Sequence, residues 1–307
     1  MSLWKKITKR LRSLIPFLLV VGACTVLIVA VGWWYYHPSV ERTDGIVYGQ
    51  RNGESLYLDV IRPTKPNGYG VALMVSGGWK SQRPGEVPVW LLAPVLRRGY
   101  TVFAVMHVSQ PDSTVMEIID DVNRGIRFIR YHAEEYDIDP KHIGVTGGSA
   151  GGHLSLMLAT CGGPGPADAE DPIDRESSAV QAVAIFYPAT DLLNLGDSTE
   201  NPGDGGPPKS FVKAFGPDST NMEKWKLIGR DCSPVYHVTR QLPPTLIYHG
   251  DADTLVPLDQ SERFCDAAKQ LDCNVKLVVH PGGGHGWLSM LWDLRAFGKW
   301  FDKHLKG

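Results

Sequence analysis

At residues 147–151 the sequence reads Gly147-Gly148-Ser149-Ala150-Gly151, a Gly-x-Ser-x-Gly pentapeptide. A short apolar run, 141–146, precedes it, and a segment of helical character, 152–159, follows it. The pattern predicts a sharp strand-to-helix turn, because glycines let the backbone close up where side chains would collide. In such a turn the hydroxyl group of Ser149 is exposed above the edge of a sheet.

Apolar runs and helical segments alternate on both sides of this turn. This alternation predicts a mostly parallel sheet with helices on both faces. The predicted buried strands are 71–75, 101–105, 182–187, 244–248 and 275–279, and the clearest predicted helices are 87–98 and 116–134. Upstream, segments 46–49 and 56–61 are predicted to form an antiparallel pair, because Asn52-Gly53 between them is a strong hairpin signal.

A serine hydroxyl is a poor nucleophile unless a base removes its proton. His285 is the candidate base, since it lies in a glycine-rich turn, 281–287, between the last predicted strand and the last predicted helix. The imidazole in turn needs a carboxylate, and both Asp251 and Asp253 follow the preceding strand. We choose Asp253, which directly precedes the next helix, and assign Asp251 to the turn. The candidate catalytic residues are therefore Ser149, Asp253 and His285.

Two other histidines lie near these residues in the sequence. His153 follows Ser149 by one helical turn, and His249 ends a predicted strand. Both are interpreted as buried structural residues.

The oxyanion formed in acyl transfer needs backbone N–H donors. Ala150, directly after the candidate nucleophile, is predicted to supply one. The others are expected from the loop Ser76-Gly77-Gly78-Trp79, which follows the predicted strand 71–75. Gly78 and Trp79 are the preferred donors, with Gly77 as the open alternative.

These motifs together resemble those of the serine esterases of the α/β-hydrolase superfamily, in the carboxylesterase, acetyl esterase and feruloyl-esterase-like group. The matching elements extend over about residues 45–305: Gly147–His153, Tyr187–Leu192, Ser233-Pro234, Pro244–Asp253 and Gly284–Gly286. The resemblance implies an α/β-hydrolase fold, the order nucleophile, acid and base, and hydrolysis of carboxylic esters, such as acetyl or feruloyl esters of polysaccharide fragments. The sequence departs from the group in the loop after strand 71–75, where Ser76, or Val75 if the alignment moves by one residue, stands in place of the usual histidine.

Two alternative functions remain open at this stage. The first is a serine peptidase similar to the prolyl oligopeptidases, although the propeller domain usual in that group is missing. The second is a catalytically silent, membrane-tethered binding module. No nucleotide-binding or metal-binding motif is present, so we expect no cofactor and a small-molecule or oligosaccharide ester as substrate.

The N-terminal region has the pattern of a membrane anchor. Residues 1–13 carry five basic and no acidic side chains, and the following 14–34 are uncharged and apolar, about the length that crosses a bilayer. We therefore expect a cytoplasmic segment 1–13, a transmembrane signal anchor 14–36, a linker 37–44 and an extracytoplasmic catalytic domain 45–307. A cleaved signal peptide, which would give a secreted enzyme, and a lipoprotein are the alternatives.

Charge and cysteine content add two further expectations. The whole chain has 31 Lys and Arg against 33 Asp and Glu, so the part beyond the basic N-terminus is acidic, which argues against a nucleic-acid partner. The downstream cysteines are Cys161, Cys232, Cys265 and Cys273. They match no zinc pattern, and free thiols or one disulfide both remain open.

Two long segments interrupt the alternation of strands and helices. Segment 162–178 is rich in Gly, Pro and Asp and is predicted to be a surface loop. Segment 193–235 is predicted to be a partial lid over the active site, because a loop of this length between core strands is usually functional. Its aromatic residues Phe211, Phe215 and Trp225 are expected to offer apolar surface to a substrate.

Overall fold

An eight-stranded sheet forms the centre of this computed structural model, which describes residues 3–306 and the side chains of residues 17–306. The strands are β1 (Val40–Arg51), β2 (Glu54–Pro63), β3 (Gly70–Met74), β4 (Thr101–Val105), β5 (Ile143–Gly148), β6 (Ala182–Phe186), β7 (Thr245–Gly250) and β8 (Val275–His280). Their order is β1-β2-β4-β3-β5-β6-β7-β8, antiparallel at β1, β2 and β4 and parallel from β4 to β8. The predicted α/β-hydrolase architecture is confirmed.

Eight α-helices and three short 3-10 helices are described in residues 3–306. The α-helices are α1 (Leu3–Tyr36), α2 (Val89–Leu96), α3 (Val115–Tyr131), α4 (Ala150–Cys161), α5 (Pro172–Arg175), α6 (Met222–Asp231), α7 (Leu258–Lys269) and α8 (Met290–Leu305). The 3-10 helices are Lys209–Phe215, Pro217–Thr220 and Pro234–His237. Segment 162–178, predicted to be a loop throughout, contains the short helix α5, which Asp171 caps through the backbone N–H of Ile173.

The predicted hairpin joins β1 and β2. Asn52 and Gly53 have φ values of 52° and 84°, the left-handed conformations that a two-residue type I′ turn requires. The pairing of Arg51 with Glu54 closes the turn. The turn therefore has the conformation that its local sequence predicts.

The central parallel strands β3, β4 and β6 are almost entirely apolar because both faces of the sheet are covered there. In β3, Val71 packs in a cluster with Leu92 of α2 and Phe297 of α8, whereas Ala72 packs in a second cluster with Ile126 of α3. Successive side chains of a strand point to opposite faces, so both clusters need apolar partners from the same strand. The burial of both faces fixes the positions of the loops at the carboxyl edge.

Helix α1 stands apart from this packing. From Phe17 to Tyr36 it is long and apolar enough to cross a membrane, and none of that span is buried in the protein. Signal sequences share these properties. The structure describes no side chains before residue 17, so the basic cytoplasmic segment 1–13 stays a prediction.

All five cysteines are free thiols in the described part of the chain. Cys232 and Cys265 are fully buried in the core. Burial raises the pKa of the Cys232 thiol to about 12 and that of Cys265 to about 11. Both groups are therefore protonated at neutral pH.

Candidate active site

The turn between β5 and α4 is made by one residue in an unusual conformation. Ser149 has φ 55° and ψ −122°, which a non-glycine residue rarely adopts. Its neighbours must be small, because a Cβ on Gly147 would lie 2.4 Å from the carbonyl oxygen of Gly151, and a Cβ on Gly151 would lie 2.5 Å from that of Met74. The glycines of the pentapeptide are therefore required by backbone contacts.

The three residues predicted from the sequence to act together are joined by hydrogen bonds. Nε2 of His285 lies 2.9 Å from the hydroxyl oxygen of Ser149, and Nδ1 of His285 lies 2.7 Å from a carboxylate oxygen of Asp253. Asp251 instead accepts a hydrogen bond from the backbone N–H of Gly282 at 2.6 Å. Of the two candidate aspartates, Asp253 is thus the one in contact with the imidazole, and Asp251 supports the turn.

The carboxylate of Asp253 is buried but well supplied with donors. Its Oδ1 accepts the backbone N–H groups of Leu255 and Val256, each at 3.0 Å. Burial opposes its ionisation, but His249 at 3.6 Å, His285 and the Val256 backbone outweigh that effect and hold the pKa of Asp253 well below its usual range. Asp253 is therefore a stable anion beside the imidazole.

The backbone N–H groups of Ala150, Gly78 and Trp79 are among those in the cavity wall that have no protein acceptor within the described residues. Gly78 and Trp79 have φ values of 55° and 56°. Gly77, the alternative donor, is already engaged, because its N–H donates to the carbonyl oxygen of Lys80 at 2.9 Å. The geometry thus favours Ala150, Gly78 and Trp79 over Gly77 as candidate donors to the oxyanion.

The side chain of Trp79 is fixed by a hydrogen bond to His153. The indole N–H donates to Nδ1 of His153 at 3.2 Å, and Nε2 of His153 donates to the carbonyl oxygen of Cys232 at 2.7 Å. Burial lowers the pKa of His153 to about 4, so the neutral ring can accept at Nδ1. His153 is buried, as expected from the sequence, but its contact with the glycine-rich loop was not anticipated.

Ser76, which replaces the histidine usual in the resembling group, has a histidine partner from the loop after β4. Nε2 of His107 lies 2.9 Å from the Ser76 hydroxyl oxygen, and Nδ1 donates to the carbonyl oxygen of Val108 at 2.8 Å. Burial lowers the pKa of His107 to about 4. Sequence analysis missed His107, although its position just after the predicted strand 101–105 indicated the same sheet edge.

A cavity of about 440 Å³ lies over these groups and includes Ser149, His285 and the Ser76–Trp79 loop in its wall. Most of its other wall residues are apolar, and segment 193–235 contributes Leu195, Ser198, Glu200, Pro208 and Phe211. The expectation that Phe215 and Trp225 face a substrate is wrong. Both are fully buried, with Phe215 edge-on to Trp79 at 5.4 Å and to Trp225 at 5.1 Å, so they support the loop from behind.

Within the described residues, no group of three or more His, Cys, Asp or Glu side chains is arranged to hold a metal ion.

Comparison with known sequences identifies relatives over most of the chain. A model of the family described as BD-FAE matches residues 58–268. The chain is 30% identical over 230 residues to the probable carboxylic ester hydrolase LipM of Mycobacterium tuberculosis, covering 74% of this chain and 51% of the relative. It is 31% identical over 258 residues to the esterase LipQ of the same organism, covering 80% and 57%. The chain thus spans about half the length of the curated relatives it matches.

Comparison with solved structures supports the fold. A truncated form of a carbohydrate esterase from gut microbiota superposes with a TM-score of 0.68 at 23% identity, covering 86% of this chain and 96% of that structure. At this identity the likeness shows a common fold.

The close backbone contacts of the pentapeptide generate a stability prediction. Gly151→Ala should lower the Tm by at least about 4 °C, because the new methyl group overlaps a backbone carbonyl that has no room to move. Gly163→Ala is the matched control, since a Cβ there meets nothing within 4 Å. Thermal unfolding followed by circular dichroism measures both; equal Tm values for the two variants would contradict the packing argument.

Proposed function

Because the chain belongs to the BD-FAE family and has the α/β-hydrolase fold, we propose that it is a serine hydrolase that cleaves carboxylic esters through an acyl-enzyme on Ser149. The observation that carries this proposal is the continuous hydrogen-bond chain from Ser149 through His285 to Asp253, at 2.9 and 2.7 Å, in the wall of one cavity. The relatives named as ester hydrolases agree with it.

In this mechanism Nε2 of His285 takes the proton from the Ser149 hydroxyl group as its oxygen attacks the ester carbonyl carbon. The C–O bond to the alcohol then breaks, and His285 returns the proton to the departing oxygen. Water attacks the acyl-enzyme in the same way, and its proton passes through His285 back to Ser149. Asp253 remains ionised throughout and stabilises the imidazolium form.

The negative charge on the carbonyl oxygen requires donors that are in place before the reaction begins. We assign this role to the N–H groups of Ala150, Gly78 and Trp79, which lack acceptors among the residues described. Preorganised donors of this kind contribute about 10²–10³ in turnover each. The left-handed backbone at Gly78 and Trp79 and the buried Trp79 indole keep this loop from rearranging.

The apolar cavity wall supports a substrate with a small acyl or aryl group bound next to Ser149. Segment 193–235 acts as a partial lid in this proposal, with Leu195 and Phe211 in contact with that group. Acetyl or feruloyl esters of polysaccharide fragments fit the scheme if the sugar lies outside the cavity. The likeness in fold to a structure named as a carbohydrate esterase agrees with this substrate class.

The two alternative functions predict different behaviour toward a fluorophosphonate probe, which reacts with activated serines. A silent binding module would not be labelled. A peptidase would be labelled and would also cleave prolyl peptides, whereas the proposed esterase would be labelled and leave them intact. Screening p-nitrophenyl esters of increasing chain length beside feruloyl and acetyl-xylan substrates then defines the acyl preference.

We also propose that α1 is an uncleaved anchor that holds the catalytic domain outside the cytoplasm. Its unburied apolar span supports this role. Contacts at the end of the helix agree: the Arg97 side chain donates to the carbonyl oxygens of Trp34 and Tyr35, so the helix continues into the domain surface. A cleaved signal peptide is the alternative.

The proposed catalytic roles predict large losses of activity with an intact fold. Ser149→Ala and His285→Ala should each reduce kcat for a soluble ester by at least about 10³, and Asp253→Asn by about 10⁴ through the wrong imidazole tautomer. Asp251→Asn is the control and should stay within about tenfold of wild type, because Asp251 contacts Gly282 and not His285. If Asp251→Asn is the more damaging change, the assignment of the acid is wrong.

The lid contact predicts a change in selectivity. Phe211→Ala should raise kcat/KM for longer or bulkier acyl groups relative to acetyl, because it removes a ring from the cavity wall. Val212→Ala, the neighbouring residue outside the wall, should leave the ratio unchanged. Competition between p-nitrophenyl acetate and p-nitrophenyl octanoate measures the ratio, and an equal shift in both variants would refute a role of the lid in selectivity.

Removal of residues 1–36 tests the anchor. The shortened chain should be recovered in the soluble fraction with a Tm within about 4 °C of the full chain, since the contacts that the described side chains of α1 make with the domain lie in its last turn. Full-length protein should stay with the membrane pellet after an alkaline wash. Release of a full-length chain by that wash would contradict a spanning helix, and mass spectrometry of the mature N-terminus distinguishes cleavage.

A further inference from the structure

The end of α1 and the beginning of α8 lie against each other. The rings of Tyr36 and Trp292 meet edge to face with their centroids 6.2 Å apart. The guanidinium group of Arg295 lies 4.6 Å from the centroid of the Tyr35 ring and 4.5 Å from that of Trp292. One edge of the catalytic domain is therefore attached to the carboxyl end of the apolar helix.

A second contact fixes the helix from the side of α2. Nε of Arg97 donates to the carbonyl oxygen of Tyr35 at 3.1 Å, and its guanidinium group stacks 4.1 Å from the centroid of the Trp34 ring. Carbonyl groups at a helix end lack intrahelical partners, so an arginine there satisfies them. Two helices of the domain thus hold the end of α1 in one orientation.

The same edge leaves the greater part of several large apolar side chains exposed to solvent. Leu288, two residues before the start of α8, is fully exposed, and Trp292 is 56% exposed. Leu288 precedes Trp292 by four residues, and the Trp292 backbone N–H donates to the carbonyl oxygen of Ser289 between them at 2.8 Å. Trp33 and Trp34 of α1 are exposed as well. Single exposed apolar residues are common, but this group continues the apolar surface of α1.

We propose that Leu288 and Trp292 enter the headgroup region of the bilayer that α1 spans, so that the active site takes amphiphilic esters from that bilayer. The proposal rests on the proposed ester hydrolysis and on α1 as an anchor. Tryptophan and tyrosine at the end of a spanning helix lie at the membrane–water interface, and Trp292 touches Tyr36, so it is held at the same level. Arg97 and Arg295 provide positive charge at the height of lipid phosphates.

The position of the candidate base links this edge to the substrate. His285 precedes Leu288 by three residues, a span of at most about 11 Å even for extended chain. When Leu288 is inserted in the headgroup region, the His285 imidazole therefore lies close to the lipid surface. An ester whose chain is dissolved in the bilayer needs only a short displacement to bring its carbonyl group to the apolar cavity.

The depth of residue 288 in the membrane tests the proposed insertion directly, and this measurement does not depend on catalysis. We would use the full chain in phosphatidylcholine vesicles, with Cys24, Cys161 and Cys273 replaced by serine, and attach a fluorophore at Leu288→Cys. Leu227→Cys, an exposed leucine on α6, is the matched control. Lipids brominated on the acyl chain should quench the fluorophore at 288 and leave that at 227 unchanged. Equal quenching at both positions would overturn the proposal.

Activity tests the substrate class in the same vesicles. The double variant Leu288→Ser, Trp292→Ser should lower kcat/KM for 4-methylumbelliferyl palmitate dissolved in the bilayer by about tenfold. Hydrolysis of water-soluble p-nitrophenyl acetate should stay within about twofold, and Leu227→Ser should affect neither ester. Equal losses on both esters would refute the uptake from the bilayer. If the fluorophore at 288 is quenched but the protein is inactive on every ester, the insertion into the membrane is supported and the proposed function is rejected.

Discussion

The left-handed backbone of Ser149 is the constraint on which the rest of the site depends. A strand becomes a helix within one residue, so α4 lies directly against the ends of β3 and β5, with room for no more than hydrogen at Gly147 and Gly151. Because the strand order reverses between these two strands, the loops after them open onto a common crevice. The Ser76–Trp79 loop is held there by the hydrogen bond from the Gly151 N–H to the Ser76 carbonyl oxygen at 3.1 Å.

Sequence patterns predicted those features that are encoded locally. The Asn52-Gly53 hairpin, the apolar strands and the glycine pentapeptide each follow from a few adjacent residues, and the structure has them where they were expected. The set Ser149, Asp253 and His285 could also be proposed, because loops at the carboxyl edge of parallel strands converge. The preference for Asp253 over Asp251 rested on its position before a helix, and the structure adds the contact with His285.

The remaining features depend on contacts between residues distant in the sequence. Trp79 meets His153 across 74 residues, and Ser76 meets His107 across 31. No local pattern indicates such pairs, so the support beneath the glycine-rich loop was not predicted. The same limit explains the error at Phe215 and Trp225, since an aromatic residue in a long segment has the same sequence signal whether it faces a ligand or the core. Only the tertiary packing distinguishes Phe211 from these two.

The buried thiols have a consequence for where this protein can work. Cys232 and Cys265 are inaccessible, and their raised pKa values keep them protonated, whereas oxidation and disulfide exchange proceed through an accessible thiolate. The redox potential of the surroundings therefore does not change the oxidation state of these two thiols. These two core thiols keep the same covalent state in an oxidising and in a reducing compartment.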